Sequence, residues 1–350
     1  MPELEVINSL LASGEIKSYE RQFKPVILGN WRPVRPKEGL QTIIQKLCEN
    51  RYSTTHPFYL ALPSGMIPEY LEQGGQSGIV VGSNSMEAVE EGSFTKSISM
   101  RLLSKAGARF VVLDTQATTL ISSDPFTAVN EKLLHLLNSN CNAFVVLGET
   151  SVQYMNNQML EVLTTQLETV LDELPENRLN KLALIYAPSW VTIQGMTGLE
   201  ENINKSYHIF RYTLENILGQ DNASKVRVMV AAPHIFGSCY SYLKNSHYDG
   251  FYFPNAAVQS KSLLETWKDF NEKAPDALET EIIISESVEI PEEPTIDPEE
   301  PPVEEGGPTV ESREPPIETE EPTLESGENV PLNEETPVVT EDLEPETEEL

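Results

Sequence analysis

Four polar side chains stand where apolar runs of the chain end, and their types could carry chemistry: Arg32, Asp114, Gln116 and His234. A guanidinium holds an anion through a fixed fork of donors, and a carboxylate or imidazole beside it can move a proton. One reading is therefore a site in which Arg32 holds an anion and Asp114 or His234 acts on it. The other is a solvated mouth with no chemistry, since no complete acid, base and electrophile set recurs at a known spacing. Between these residues lies the run Leu184 to Gly198, Leu-Ile-Tyr-Ala-Pro-Ser-Trp-Val-Thr-Ile-Gln-Gly-Met-Thr-Gly. Leu182, Leu184 and Tyr186 alternate like one face of a strand, and Pro188, Trp190, Gly195 and Gly198 then open a loop able to hinge. His247 precedes the last apolar run and reads as packed or solvated. Cys48, Cys141 and Cys239 are far apart and lack Cys-x-x-Cys spacing, so they read as buried thiols; no metal and no cofactor are expected.

Short apolar runs followed by amphipathic stretches must position these residues. Strands are expected at 25–28, 58–62, 78–81, 110–113, 143–147, 182–186, 226–231 and 250–253. Helices are expected at 40–48, at 128–137, 158–171, 201–218 and 262–270, and in a segment ending near Ala106-Gly107. This alternation is that of a parallel α/β architecture. Eight such units fit between residues 24 and 272, and a closed (β/α)8 barrel uses about 250 residues. The expected organisation is an N-terminal extension over 1–23, one barrel over 24–272 and a tail over 273–350.

The formal net charge of −31 is unevenly placed. Residues 286–350 hold 24 acidic residues against one basic residue, Arg313, together with 12 prolines and no aromatic residue. Such a composition cannot bury enough apolar surface to offset its ordering entropy, so a disordered, self-repelling acidic chain is expected. Lys and Arg are scattered rather than striped, which argues against a nucleic-acid partner. No window approaches the roughly 18 apolar residues of a membrane span, and residues 1–23 lack the apolar core of a signal peptide. Cytoplasmic residence is the expectation.

The Leu184 to Gly198 run resembles the strand-6 and lid signature of the triosephosphate isomerase family, Tyr-Glu-Pro-Val-Trp-Ala-Ile-Gly-Thr-Gly-Lys. Asn30-Trp31-Arg32 is similar to the family's Asn-Trp-Lys, Gly92-Ser93-Phe94-Thr95 to its Gly-Ala-Phe-Thr, and Gly148-Glu149-Thr150 matches its Gly-Glu-Thr. Asp249-Gly250 is similar to the Asp-Gly that opens strand 8. The resemblance implies an α/β fold of one TIM barrel. It also implies a Glu base, a neutral His electrophile and a Lys, with Asn30, Arg32 and Gly195 in substrate-binding positions.

At the chemical positions the chain departs from that pattern. Ala187 stands for the Glu and Thr115 for the His, in a run Thr115-Gln116-Ala117-Thr118-Thr119 that replaces His-Ser-Glu-Arg-Arg. Arg32 stands for the Lys, keeping charge but changing shape. The amides that would cradle a phosphate align with Ala231-Ala232-Pro233 and Pro254-Asn255, and proline has no N–H to give. Ile193 and Met196 replace the lid's Gly and Lys. The expectation is a pseudoenzyme of the family that acts as a binding or structural protein. The alternative is interconversion of glyceraldehyde 3-phosphate and dihydroxyacetone phosphate, an aldose–ketose isomerisation, or an altered activity on an anionic small molecule.

In the family the loop carrying the Thr docks into a partner subunit, so a homodimer through the loop from Ser85 to Ser97 is expected. Glu87, Glu90 and Glu91 would weaken it by like-charge repulsion. The tail either binds a basic protein or serves solvation. Deleting residues 286–350 should abolish a salt-sensitive pull-down of basic partners and leave barrel melting unchanged; an undiminished pull-down would remove the binding role.

Overall fold

Strands form here because β-branched and aromatic residues alternate between two apolar surroundings, one inside a closed sheet and one beneath a shell of helices. The computed structural model describes residues 9, 12–14, 17–32, 58–74, 79–86, 99–120, 122–139, 141–189, 199–232, 237–244 and 246–273. The strands are β1 (Val26–Asn30), β2 (Phe58–Leu62), β3 (Ile79–Ser83), β4 (Phe110–Asp114), β5 (Asn142–Leu147), β6 (Leu182–Tyr186), β7 (Arg227–Ala231) and β8 (Gly250–Phe253). Each pairs in parallel with the next, and β1 pairs with β8 through Ile27↔Phe251 and Leu28↔Tyr252, closing the barrel. The chain therefore has the expected (β/α)8 fold.

The described helices are α1 (Ile67–Gly74), α2 (Met100–Lys105), α3 (Thr115–Thr118), α4 (Pro125–Asn138), α5 (Ser151–Met155), α6 (Met159–Val170), α7 (Leu199–Leu218), α8 (Gln220–Ala223), α9 (Tyr240–Leu243) and α10 (Ser260–Lys273). α4 starts a turn earlier than the apolar spacing suggests, because Asp124 accepts the Thr127 N–H and Pro125 occupies the first turn. α1, α3, α5, α8 and α9 were not expected. α3 and α5 are short turns at strand ends, capped by Asp114 and by a reciprocal Thr150–Gln153 box respectively. The expected helix 40–48, residues 87–97 of the loop assigned to a dimer, the lid 190–198 with Gly195, and residues 274–350 lie outside the described residues. Among the described residues no helix is long and apolar enough to cross a membrane.

The period of two along the strands divides the core. Val26, Leu28, Tyr59, Phe110, Val112, Phe144, Val146, Ile185, Met229 and Tyr252 form one buried cluster in the barrel interior. The rings of Tyr59, Phe110 and Phe144 meet edge-on or tilted at centroid distances of 5.1 to 5.5 Å. Gly82 of β3 makes room for this filling: a β-carbon there would lie 2.4 Å from the Phe110 carbonyl oxygen. Residues of opposite parity, such as Leu60, Val111 and Val145, belong to the second cluster with Leu133, Leu163, Leu167 and Phe210 of the helices.

At the amino-terminal end of the barrel a buried carboxylate gathers four elements. Asp249 Oδ1 accepts from the Gln22 and Phe23 amides, each at 3.0 Å. Its Oδ2 accepts from Arg211 Nη2 at 2.6 Å and from the Val228 amide at 2.9 Å, and both side chains are essentially sealed from solvent. Arg211 also donates to Tyr207 Oη and to the Ala223 and Val226 carbonyls. Residues 17–23 thus form a strap across the barrel base. Arg227 covers its end, donating to the Lys24 carbonyl with its guanidinium 4.6 Å from the Phe23 ring.

The strap is also fastened at Tyr19, which is buried and donates its amide to His208 Nδ1 at 3.1 Å. That bond requires the neutral imidazole. Burial, then the neighbouring His247, lower the His208 pKa from 6.5 to about 4, against a weaker opposing pull from Glu20. His247 does pack, with its ring against Tyr207 and His208.

Two outcomes follow from this base. Arg211→Met leaves the Asp249 carboxylate buried without its cation and should cost about 3–5 kcal/mol in urea unfolding; a loss below about 1 kcal/mol would show that the backbone amides suffice. The second concerns acid. The unfolded chain takes up the His208 proton below its ordinary pKa and the folded chain only near 4, so this contribution is complete above pH 6.5 and is lost as pH falls through that window. It amounts to on the order of 3 kcal/mol, and His208→Gln should flatten the stability–pH curve between pH 6.5 and 4.

Candidate functional site

The carboxyl ends of the strands form the face that hosts active sites in this fold, and the strand period decides which side chains meet there. On β1, Val26 and Leu28 point inward, so Asn30 does as well. It is buried and donates Nδ2 to the Tyr252 hydroxyl of β8 at 2.8 Å. Asn84 Nδ2 reaches Asn30 Oδ1 at 3.3 Å and the Trp31 carbonyl at 3.0 Å, tying the end of β3 to the end of β1.

Arg32 lies two residues further along and is 45% exposed. Its Nη2 crosses to Asp114 Oδ2 at the end of β4, at 2.6 Å. Asp114 continues the inward parity of Phe110 and Val112, and its other oxygen caps α3 by accepting the Ala117 amide at 3.1 Å. One carboxylate thus serves as helix cap and counter-ion together. Burial first, and the Asp114 charge second, hold the Tyr252 phenol above its ordinary range. It is neutral at physiological pH and acts through hydrogen bonds.

Thr115 and Gln116 are committed to the scaffold. The Thr115 hydroxyl is buried and donates to the Val146 carbonyl of β5 at 2.8 Å, while Gln116 Nε2 donates to the Ala187 carbonyl at 3.1 Å. Ala187 sits just past β6, with its amide bonded to the Leu147 carbonyl at 2.8 Å. Here the chain also approaches Gly148 so closely that a β-carbon on that glycine would lie 2.8 Å from the Ala187 carbonyl carbon. Beneath, the Tyr186 hydroxyl donates to the fully buried Glu149 carboxylate at 2.7 Å, and Gln166 holds both the amide and the carbonyl of Gly148. The corner after β5 and β6 is closely hydrogen-bonded.

The turn after β8 is equally occupied. Pro254 has no amide hydrogen, the Asn255 amide donates to Gln259 Oε1 at 3.1 Å, and the Ala256 amide donates to the Asn30 carbonyl at 2.8 Å. The Ala232 amide after β7 donates to the Tyr252 carbonyl at 2.7 Å. Among the described residues no three His, Cys, Asp or Glu side chains gather in a way that could hold a metal ion.

The family profile described as "Triosephosphate isomerase" matches residues 25–270. The chain belongs to the triosephosphate isomerase family. A triosephosphate isomerase of Clostridium botulinum (strain Loch Maree / Type A3) is 26% identical over 241 residues, covering 67% of this chain and 95% of that protein. Proteins of the same name from Protochlamydia amoebophila and Alkaliphilus oremlandii are 22% and 20% identical over 253 and 241 residues. They cover 71% and 69% of this chain, and 96% and 97% of their own lengths.

Of the residues read from sequence as family positions, Asn30, Arg32, Thr115 and Ala187 all lie at the carboxyl ends of β1, β4 and β6. Gly195, Pro233 and His234 fall outside the described residues. Arg32 and Asp114 are brought together; Gln116 meets Ala187 rather than either of them. Sequence reading missed Tyr252 and Asn84. The inward parity of Tyr252, two residues after Gly250, was the available signal for the first; nothing local marks Asn84, whose role comes from its side chain reaching past β2 to Asn30 and Trp31 at the end of β1.

Proposed function

We propose that this chain is a catalytically silent member of the triosephosphate isomerase family, a binding or structural protein on an isomerase scaffold. What carries the reading is that the polar groups described at the mouth are engaged within the protein. Arg32 is held by Asp114, the Thr115 hydroxyl by the Val146 carbonyl, Gln116 by the Ala187 carbonyl, and the amides after β8 by Gln259 and Asn30. At the base position Ala187 has no titratable group. A methyl group cannot take a carbon-bound proton, and a threonine hydroxyl does not shuttle one near neutral pH.

Magnitudes favour absence over impairment. A general base and an electrophilic hydrogen-bond donor are each worth typically about 10²- to 10⁴-fold. With the amides after β8 engaged and Pro254 lacking one, a phosphate dianion finds few backbone donors there to bind it.

Purified protein supplied with glyceraldehyde 3-phosphate in a coupled assay should give no turnover above the uncatalysed rate. Clear turnover would overturn the reading. The double substitution Ala187→Glu with Thr115→His should restore little, because it frees neither Arg32 nor the amides after β8.

A further inference from the structure

We infer that Asp114 is a built-in occupant of the anion position at the barrel mouth, and that it closes the mouth to free phosphate and carboxylates. The inference deepens the reading of the mouth as catalytically silent and rests on it.

The two partners of the pair are unequal. Asp114 ends a core strand, is 11% exposed, and is fixed by the Ala117 amide on its carboxylate and by the Thr118 hydroxyl on its carbonyl. Arg32 lies beyond the end of β1 and is 45% exposed. The carboxylate is therefore the preorganised receptor, and the guanidinium is the ligand tethered to it. A free anion must compete with a carboxylate that is part of the same chain, at the high effective concentration that tethering gives. An anion approaching Arg32 also meets the Asp114 charge 2.6 Å from Nη2, so repulsion adds to competition.

Among the described residues of the mouth no second cation offsets this. Among the described residues, the charged groups that act on the Tyr252 phenol at the bottom of the mouth are Asp114 and Arg32, of opposite sign. Asn30, Asn84, Gln116 and Tyr252, the other polar side chains described there, are neutral. The described part of the mouth presents amide and hydroxyl groups around a closed ion pair.

Asp114→Asn tests this while keeping an oxygen to cap α3. Melting of the full chain is titrated with sodium phosphate against sodium chloride at matched ionic strength. Asp114→Asn should bind phosphate roughly tenfold or more tightly than the unaltered chain, the gain expected from removing one like charge beside the site. Adding Arg32→Gln should remove the gain. If Asp114→Asn does not fold, Asp114→Ser, also neutral and able to cap, is read in its place.

A folded neutral variant that gains nothing overturns the inference. So does a gain that survives Arg32→Gln, or an unaltered chain that already binds phosphate as tightly as the variant. Turnover of triose phosphate by the unaltered chain would sink the silent reading instead, so the two ideas fail on different measurements.

Discussion

The Asp249 carboxylate is the point on which the barrel closes. A charge removed from water survives only if its lone pairs are filled, and Asp249 fills them with two amides from the strap, one from β7 and the Arg211 guanidinium of α7. The donors come from three separate parts of the chain. The ion pair therefore does more than offset its own desolvation: it sets where the strap, α7 and β7 sit when β8 begins one residue later. With β8 so placed, its pairing to β1 completes the ring, and the alternation of inward side chains carries that placement through to the opposite end.

The mouth is built by the same rule with a different result. There too a carboxylate meets a guanidinium at 2.6 Å, yet Arg32 stays half exposed where Arg211 is sealed. In the base such a pair fixes architecture; at the mouth it ties the end of β1 to the end of β4. The engaged amides after β8 and the hydrogen-bonded Thr115 extend the pattern among the described residues.

Much of the fold was legible in the chain, because a strand buried on both faces must be continuously apolar. The run Phe58–Leu62 and the run Gly250–Phe253 coincide with β2 and β8. β1 runs two residues past its apolar residues, since Asn30 still keeps register with Ala61. The short helices α3 and α5 escaped apolar periodicity because four or five residues hold barely one turn. Only the cap Thr150-x-x-Gln153 could have announced α5. The strap was unreadable for a different reason: its bonds to Asp249 and His208 span about two hundred residues of sequence and leave no local pattern.

The sequence by itself determined the parallel α/β barrel, the membership that its ordered motifs signal, and the absence of a carboxylate at Ala187 and of an imidazole at Thr115. These are matters of residue type and period, which a chain displays without folding. Only the tertiary structure decided which polar groups remain available. That Arg32 answers to Asp114, Thr115 to the Val146 carbonyl and the amide of Ala256 to Asn30 depends on strands far apart in the chain meeting at one end of a closed ring. A hydrogen-bonding group is defined by its partner, and the partner is fixed by closure of the barrel.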